Sequence, residues 1–260
     1  MRVGLLHPGE MGAAIGAMLV EHGHVVLWQP QGRSEQTIRR AAAAALTGVE
    51  DFHDAEVILS VCPPHAALDV ARSLRGTAAL VIDANAVSPA TARLVGELFD
   101  GRWVDGGIVG PPPVRTGTTR LYLSGPHALG ASRLFEGTRL EAVVLSGSPV
   151  TASALKMAYA AWTKGSAALL MAALSSAHAN GVQDALRAEW SRSQPDLEAR
   201  WQSASDSAAA KGWRWVGEMN EIAATFAAAG LPSGFHEAAA EMFERAADTQ
   251  NPHPSRPVVR

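Results

Sequence analysis

The chain has 260 residues, 47% of them hydrophobic and 18% charged, with a formal net charge of -3, enough apolar material for one large or two modest domains. The small negative charge and the lack of any lysine/arginine run imply neither a nucleic-acid nor an anionic-membrane partner, and a single cysteine, Cys62, leaves no internal disulfide and no thiolate metal cluster. No segment has the uninterrupted apolar length of a membrane span, and the N-terminus enters a strand directly, so the cytoplasm is the expected location.

Arg2–Leu6 reads as a short apolar strand that runs into His7-Pro8-Gly9-Glu10-Met11-Gly12 and then a helix over Met11–Glu21. Gly9 and Gly12 fall where the second and third glycines of GxGxxG belong, so backbone amides at a helix N-terminus can face the pyrophosphate of a dinucleotide. His7 holds the position of the first glycine, with Pro8 fixing φ beside it, so the tight turn is made differently here. His22-Gly23-His24 stops the helix, and Val25–Trp28 is the next strand. Further apolar runs at Val57–Val61, Ala79–Ile82 and Trp103–Val109 alternate with helical segments near Thr37–Leu46, Ala66–Leu74 and Pro89–Leu98. Such short, two-sided apolar strands separated by helices predict an α/β fold, a Rossmann-type doubly wound parallel sheet.

The end of the second strand bears on cofactor choice. It reads Leu27-Trp28-Gln29-Pro30-Gln31-Gly32-Arg33-Ser34, with no carboxylate before Glu35 to take a ribose 2′-hydroxyl. Arg33 with Ser34 suits a 2′-phosphate, so NADP (NADPH) is favoured over NAD, although Ser34 also reads as the N-cap of the next helix.

Past Leu145 the strand pattern stops. Gly147, Ser148 and Pro149 make a turn, and a long helix is predicted over Thr151–Ala179, stopped by Asn180-Gly181. Three more helices are expected near Leu197–Ala209, Trp213–Ala229 and Phe235–Ala247. The domains are therefore read as 1–148 for dinucleotide binding and 149–250 as a small all-helical substrate and dimerisation domain, with 251–260 a disordered tail. Few charges lie between Ala152 and Ala179, which predicts a buried helix and a homodimer packed through the helical domains.

The strand-end Cys62-Pro63-Pro64, then Asp83-Ala84-Asn85, Asp105-Gly106-Gly107, and a lysine about ten residues past a glycine resemble the β-hydroxyacid dehydrogenase and 6-phosphogluconate dehydrogenase-like superfamily over nearly the whole chain. The wording HPGEMG, CPPH, DANAVSP, DGGIVGPPP and SALKMAYAAWTKG is most similar to a bacterial branch whose helical C-terminal domain has no assigned function. The resemblance implies an NADP-dependent oxidoreductase that moves a hydride between nicotinamide and a carbonyl or alcohol of a small metabolite bound between two domains, with no metal. It makes His7 to Gly12, Arg33, Ser34, Cys62, Pro63, Pro64 and Asn85 cofactor-binding positions, with Asn85 beside the nicotinamide.

Lys156 matches the lysine that serves as general acid or base toward the substrate oxygen, a role that a lysine buried among apolar neighbours, its pKa depressed, can fill near neutrality. The asparagine expected four residues on is Ala160. Lys164, two turns past Lys156, reads as a second active-site lysine or a surface charge. Where relatives hold a carboxylate with a serine and glycines, this chain has Val109-Gly110-Pro111, leaving Arg115 and Arg120 as replacements. Glu218 falls where relatives present a lysine near the nicotinamide, a reversed charge that would pair with a cationic substrate or with Lys156. Three readings stay open: a carbonyl/alcohol oxidoreductase with catalytic Lys156, Asn85 and Glu218, an imine reductase of the same fold, and a non-catalytic NADP-binding sensor or interaction protein.

Overall fold

A computed structural model describes residues 1–248, so the tail expected at 251–260 lies outside the described residues. Internal contacts divide the chain into two units, Met1–Met157 and the part from Ala158 onward, and the divide falls within a single helix.

The first unit is built on eight strands: β1 (Arg2–Leu6), β2 (Val25–Trp28), β3 (Thr47–Gly48), β4 (Val57–Ser60), β5 (Leu80–Asp83), β6 (Trp103–Val109), β7 (Thr119–Ser124) and β8 (Leu140–Val144). They form one sheet in the order β3-β2-β1-β4-β5-β6-β7-β8, parallel from β3 through β6. The order reverses between β1 and β4, which is where doubly wound sheets bind ligands at their strand ends. Around the sheet run α1 (Glu10–Glu21), α2 (Glu35–Ala43), α3 (Ala67–Ser73), α4 (Pro89–Gly96) and the short α5 (Ala128–Ser132). Side chains alternate between the two faces of the sheet, so Val3 and Leu5 pack with Ile15, Met18 and Leu19, while Leu6 packs with Ile58, Ala71 and Val95. Strands β4 and β6 are buried at every position, so they show no alternation of apolar and polar residues, although β6 carries Asp105 within it.

The sheet is not wholly parallel, as the sequence had suggested. β7 returns antiparallel along β6, with Asp105 opposite Ser124, and β8 then runs parallel to β7. The reversal starts at Gly110, whose φ of 121° and a Cβ position only 2.3 Å from the Thr118 carbonyl admit no side chain.

The chain leaves the first unit along α6 (Thr151–Ala179) and continues through α7 (Gln183–Ser193), α8 (Leu197–Ala228) and α9 (Gly234–Asp248). The two helices expected over Leu197–Ala209 and Trp213–Ala229 are one helix of 32 residues. Gly212 between them does not break it: a Cβ there would come 3.0 Å from the Phe243 carbonyl, so the glycine lets α8 and α9 approach. Helix α7 buries no residue and so carries no apolar stripe to announce it.

Candidate dinucleotide and active site

At the end of β1 the backbone passes through His7 at φ 62°, in the left-handed region. A histidine there costs about 1–2 kcal/mol that glycine would not, yet the path is the one a glycine would take, so the departure from GxGxxG leaves the turn in place. Gly9 donates its N–H to the His7 carbonyl at 2.7 Å and is the N-cap of α1, in an extended conformation without a side-chain cap. Gly12 is required by close approach, since its Cβ would lie 2.7 Å from the His7 carbonyl. The first-turn N–H groups of α1 thus face the end of β1, the arrangement that suits a pyrophosphate.

The next loop brings Arg33 to the same place. Burial, and then the charge of Arg33, hold the His7 imidazole down at about 4. His7 Nδ1 and Arg33 Nε are both buried without a hydrogen-bond partner. Ser34 is the N-cap of α2, its hydroxyl taking the Thr37 N–H at 3.3 Å, so the capping reading of this residue describes what it does here.

A second cluster ties the ends of β4 and β5. Asn85 is 2% exposed; its carbonyl oxygen accepts the Cys62 N–H at 2.6 Å, and its amide donates to the Ser60 hydroxyl at 2.9 Å and to Asp83. Expected beside the nicotinamide, Asn85 spends its polar atoms on holding the Cys62-Pro63-Pro64 turn. The Cys62 thiol, pushed up to about 12 mainly by burial, is no nucleophile. Asp83 is raised to about 7, first by burial and then by the charge of Asp105 on the neighbouring strand.

Asp105 begins the third cluster. Its carboxylate accepts the Ser153 N–H at 2.8 Å, the Ser153 hydroxyl, and the Ser124 hydroxyl at 3.0 Å, while Ser124 in turn accepts the Ala152 N–H at 3.0 Å. Burial raises Asp105, and the Ser153 bonds oppose the rise. The first turn of α6 is therefore capped by β6 and β7. One turn further on is Lys156, whose Cβ is 3.0 Å from where a Gly107 side chain would begin. Sequence reasoning quoted Asp105 and Gly107 only as part of a resemblance and missed Ser124 and Ser153; a carboxylate within the wholly buried strand β6 was the available signal.

In the second unit Glu218, buried on α8, forms an ion pair with Lys164 of α6, and Lys164 lies 5.6 Å from the Trp215 ring centroid. Lys164 is thus not a plain surface charge. Ala160 is buried. In the first unit, Arg120 pairs across β7 and β8 with Glu141 at 3.5 Å, an exposed sheet contact.

A family model described as a domain of unknown function (DUF1932) matches residues 177–246, all in the second unit. An uncharacterised 28.5 kDa protein of Methanothermus fervidus is 27% identical over 192 residues, 72% of this chain and 74% of its own. A solved conserved protein of unknown function, described as structurally similar to 3-hydroxyacid dehydrogenases, matches with a TM-score of 0.68 and 28% identity over 96% of this chain and 98% of its own. Two more share the fold: 3-hydroxyisobutyrate dehydrogenase from Salmonella typhimurium, with a TM-score of 0.71 and 14% identity over 96% of this chain and 95% of its own, and Psf3, solved with NADP+ and 2-OPP, with a TM-score of 0.62 and 19% identity over 94% of this chain and 93% of its own. The chain thus has the fold of 3-hydroxyacid dehydrogenase-like proteins, and its second unit carries the match to the domain of unknown function.

Proposed function

We propose that the chain is an NADP-dependent oxidoreductase acting on a carbonyl or alcohol of a small metabolite, with Lys156 as the proton donor or acceptor. The observation that carries this reading is that one unit holds both a glycine turn shaped for a pyrophosphate and a lysine set by buried hydrogen bonds at β6. The turn fits the cofactor: Gly12 lets the helix pack against the His7 carbonyl, a Cβ at Gly9 would meet nothing closer than that carbonyl at 4.0 Å, and two buried nitrogens, of His7 and Arg33, stand without partners. Gly9, Glu10, Met11 and Gly12 would hold the pyrophosphate through backbone N–H groups, and Arg33 the 2′-phosphate. Psf3, which shares this fold and was solved with NADP+, supports the same choice.

When bound, a nicotinamide supplies or accepts a hydride. Lys156 then donates its proton to the alkoxide that develops on the substrate, or removes that proton in the reverse direction. Asn85 fixes the turn at Cys62, Pro63 and Pro64 against which the ring would rest. Because Glu218 pairs with Lys164, its charge is already matched, which favours a neutral carbonyl over the cationic imine that an uncompensated carboxylate would suit. The left-handed His7 preserves the turn and supports dinucleotide binding, which the enzyme and the non-catalytic NADP-binding sensor share, so turnover is what separates those two readings.

No helix among the described residues is long and apolar enough to cross a membrane, and we place the chain in the cytoplasm. On the second unit Trp162, Leu169 and Phe235 are 71%, 71% and 75% exposed, a face too apolar to leave in water, and a second copy of the chain is its proposed occupant.

The test is NADPH consumption over a panel of small carbonyls and imines, with Lys156→Ala beside the wild type. Turnover lost in the variant with NADPH binding intact is the expected result; a protein that binds neither NADPH nor NADH ends the proposal. Light scattering at micromolar concentration should give a dimer mass, and a monomer there ends the dimer reading.

A further inference from the structure

His7 is a strained choice for its position. Glycine would adopt the left-handed backbone freely, and the histidine contributes instead a side chain whose Nδ1 is buried without a partner. Arg33 Nε is in the same condition. The two residues lie in the loops that follow β1 and β2, neighbouring parallel strands, and the arginine charge acts on the imidazole. The charged and titratable groups on the surrounding elements are Arg33 after β2, Glu10 at the first turn of α1 and Cys62 after β4, whose thiol stays neutral. Two buried nitrogens without partners, one of them on a guanidinium, fit an anion that offers several acceptor oxygens, which is the chemistry of a phosphate.

We propose that His7 and Arg33 together form a phosphate subsite, and that His7 takes one proton from solvent as a phosphorylated dinucleotide binds. This rests on the dinucleotide reading given above. In the free chain the imidazole stays neutral at ordinary pH, because burial disfavours its charged form and the charge of Arg33 disfavours it further. A phosphate reverses that balance: its charge favours the imidazolium, and both ring nitrogens then donate. No bond other than the N–H of the imidazolium forms. The bound state holds one more proton than the free state over the window between the two pKa values, so affinity rises as pH falls through that window, by at most about tenfold per pH unit. Below about 4, where free His7 is also charged, the gain stops. His7 thereby becomes a determinant of dinucleotide affinity and not merely a damaged glycine position.

The measurement is isothermal titration of the full chain with NADP+, and separately with NAD+, at about pH 6.5 in buffers of different ionisation enthalpy. The expected result is net proton uptake that disappears in His7→Gln and His7→Gly while NADP+ still binds. His7→Gly removes backbone strain, so loss of folding cannot explain its result. Taking the difference between wild type and variants also cancels any proton exchanged by the phosphate itself. Uptake with NADP+ alone assigns the subsite to the 2′-phosphate, and uptake with both nucleotides assigns it to the pyrophosphate. Binding with the same proton count in wild type and both variants overturns the subsite and leaves the dinucleotide reading standing; no binding of either nucleotide overturns both.

Discussion

Asp105, buried on β6, receives both the backbone N–H and the hydroxyl of Ser153 on its carboxylate. The start of α6 is held to the sheet by this contact, and Lys156 is carried one turn beyond it. Helices are commonly capped by the residue just before them; here the acceptor comes from a strand 48 positions away, and it opposes the positive end of the helix dipole as well. Asp105 is in this sense a positioning residue for the lysine.

Asp105→Asn keeps the shape and removes the charge that makes these bonds strong. The loss should be about 1–3 kcal/mol of stability and roughly tenfold in kcat, with the nucleotide Kd unchanged, since the role proposed for Lys156 is in the transition state and the glycine turn is untouched. Denaturant unfolding and steady-state kinetics together check this. A variant with wild-type kcat would show that the cap does not set the lysine.

The pair of Lys164 and Glu218 invites a double-mutant cycle. Both side chains are largely buried, so removing one partner strands the other charge, which costs about 3–5 kcal/mol. Lys164→Met or Glu218→Gln alone should destabilise strongly, whereas the double replacement should recover much of the loss. Urea midpoints of the four proteins measure the coupling. Additive effects would mean that the two residues do not depend on each other.

How far the sequence announces this site depends on the range of the interaction. The glycine turn, the apolar runs of β1, β4 and β6, and the helix carrying Lys156 are local patterns, and periodicity exposes them. The Lys164–Glu218 pair joins residues 54 positions apart, and no local rule relates them. Gly212 is silent for the same reason: its task is to admit the Phe243 carbonyl from another helix, which no local pattern shows. Asp105 stood in plain view in a buried strand, but its partners come from β7 and α6, and only the folded chain brings them together.

Asp83 gives a prediction in pH. Its carboxyl is raised from 3.8 to about 7, so the folded chain retains a proton that the unfolded chain has released. The stabilising contribution of that proton is complete below about 4 and is lost as pH rises through about 7. His7 works in the other direction, its contribution being present above 6.5 and lost as pH falls toward about 4. Above pH 6.5 only Asp83 of the two changes charge. Asp83→Asn should therefore gain on the wild type between about pH 6.5 and 8, by no more than about 1.4 kcal/mol per unit. Urea midpoints at three pH values decide it, and parallel lines for the two proteins would rule out a titrating Asp83.

Two glycines separate nucleotide binding from the chemical step. At Gly12 a new Cβ meets the His7 carbonyl at 2.7 Å, and at Gly107 it meets the Ala152 carbonyl at 2.8 Å and Lys156 Cβ at 3.0 Å. Each clash is against backbone, so the chain must shift, at a cost of about 1–3 kcal/mol. The consequences should differ. Gly12→Ala pushes the start of α1 away from the turn and withdraws the amides from the phosphates, so NADPH affinity should fall at least about tenfold. Gly107→Ala pushes α6 off β6 and carries Lys156 with it, so kcat should fall while NADPH binds as before. Fluorescence titration and single-turnover rates on both variants measure the two effects separately. If Gly107→Ala weakened NADPH binding and left kcat intact, Lys156 would belong with the nucleotide and its proposed role toward substrate would fail.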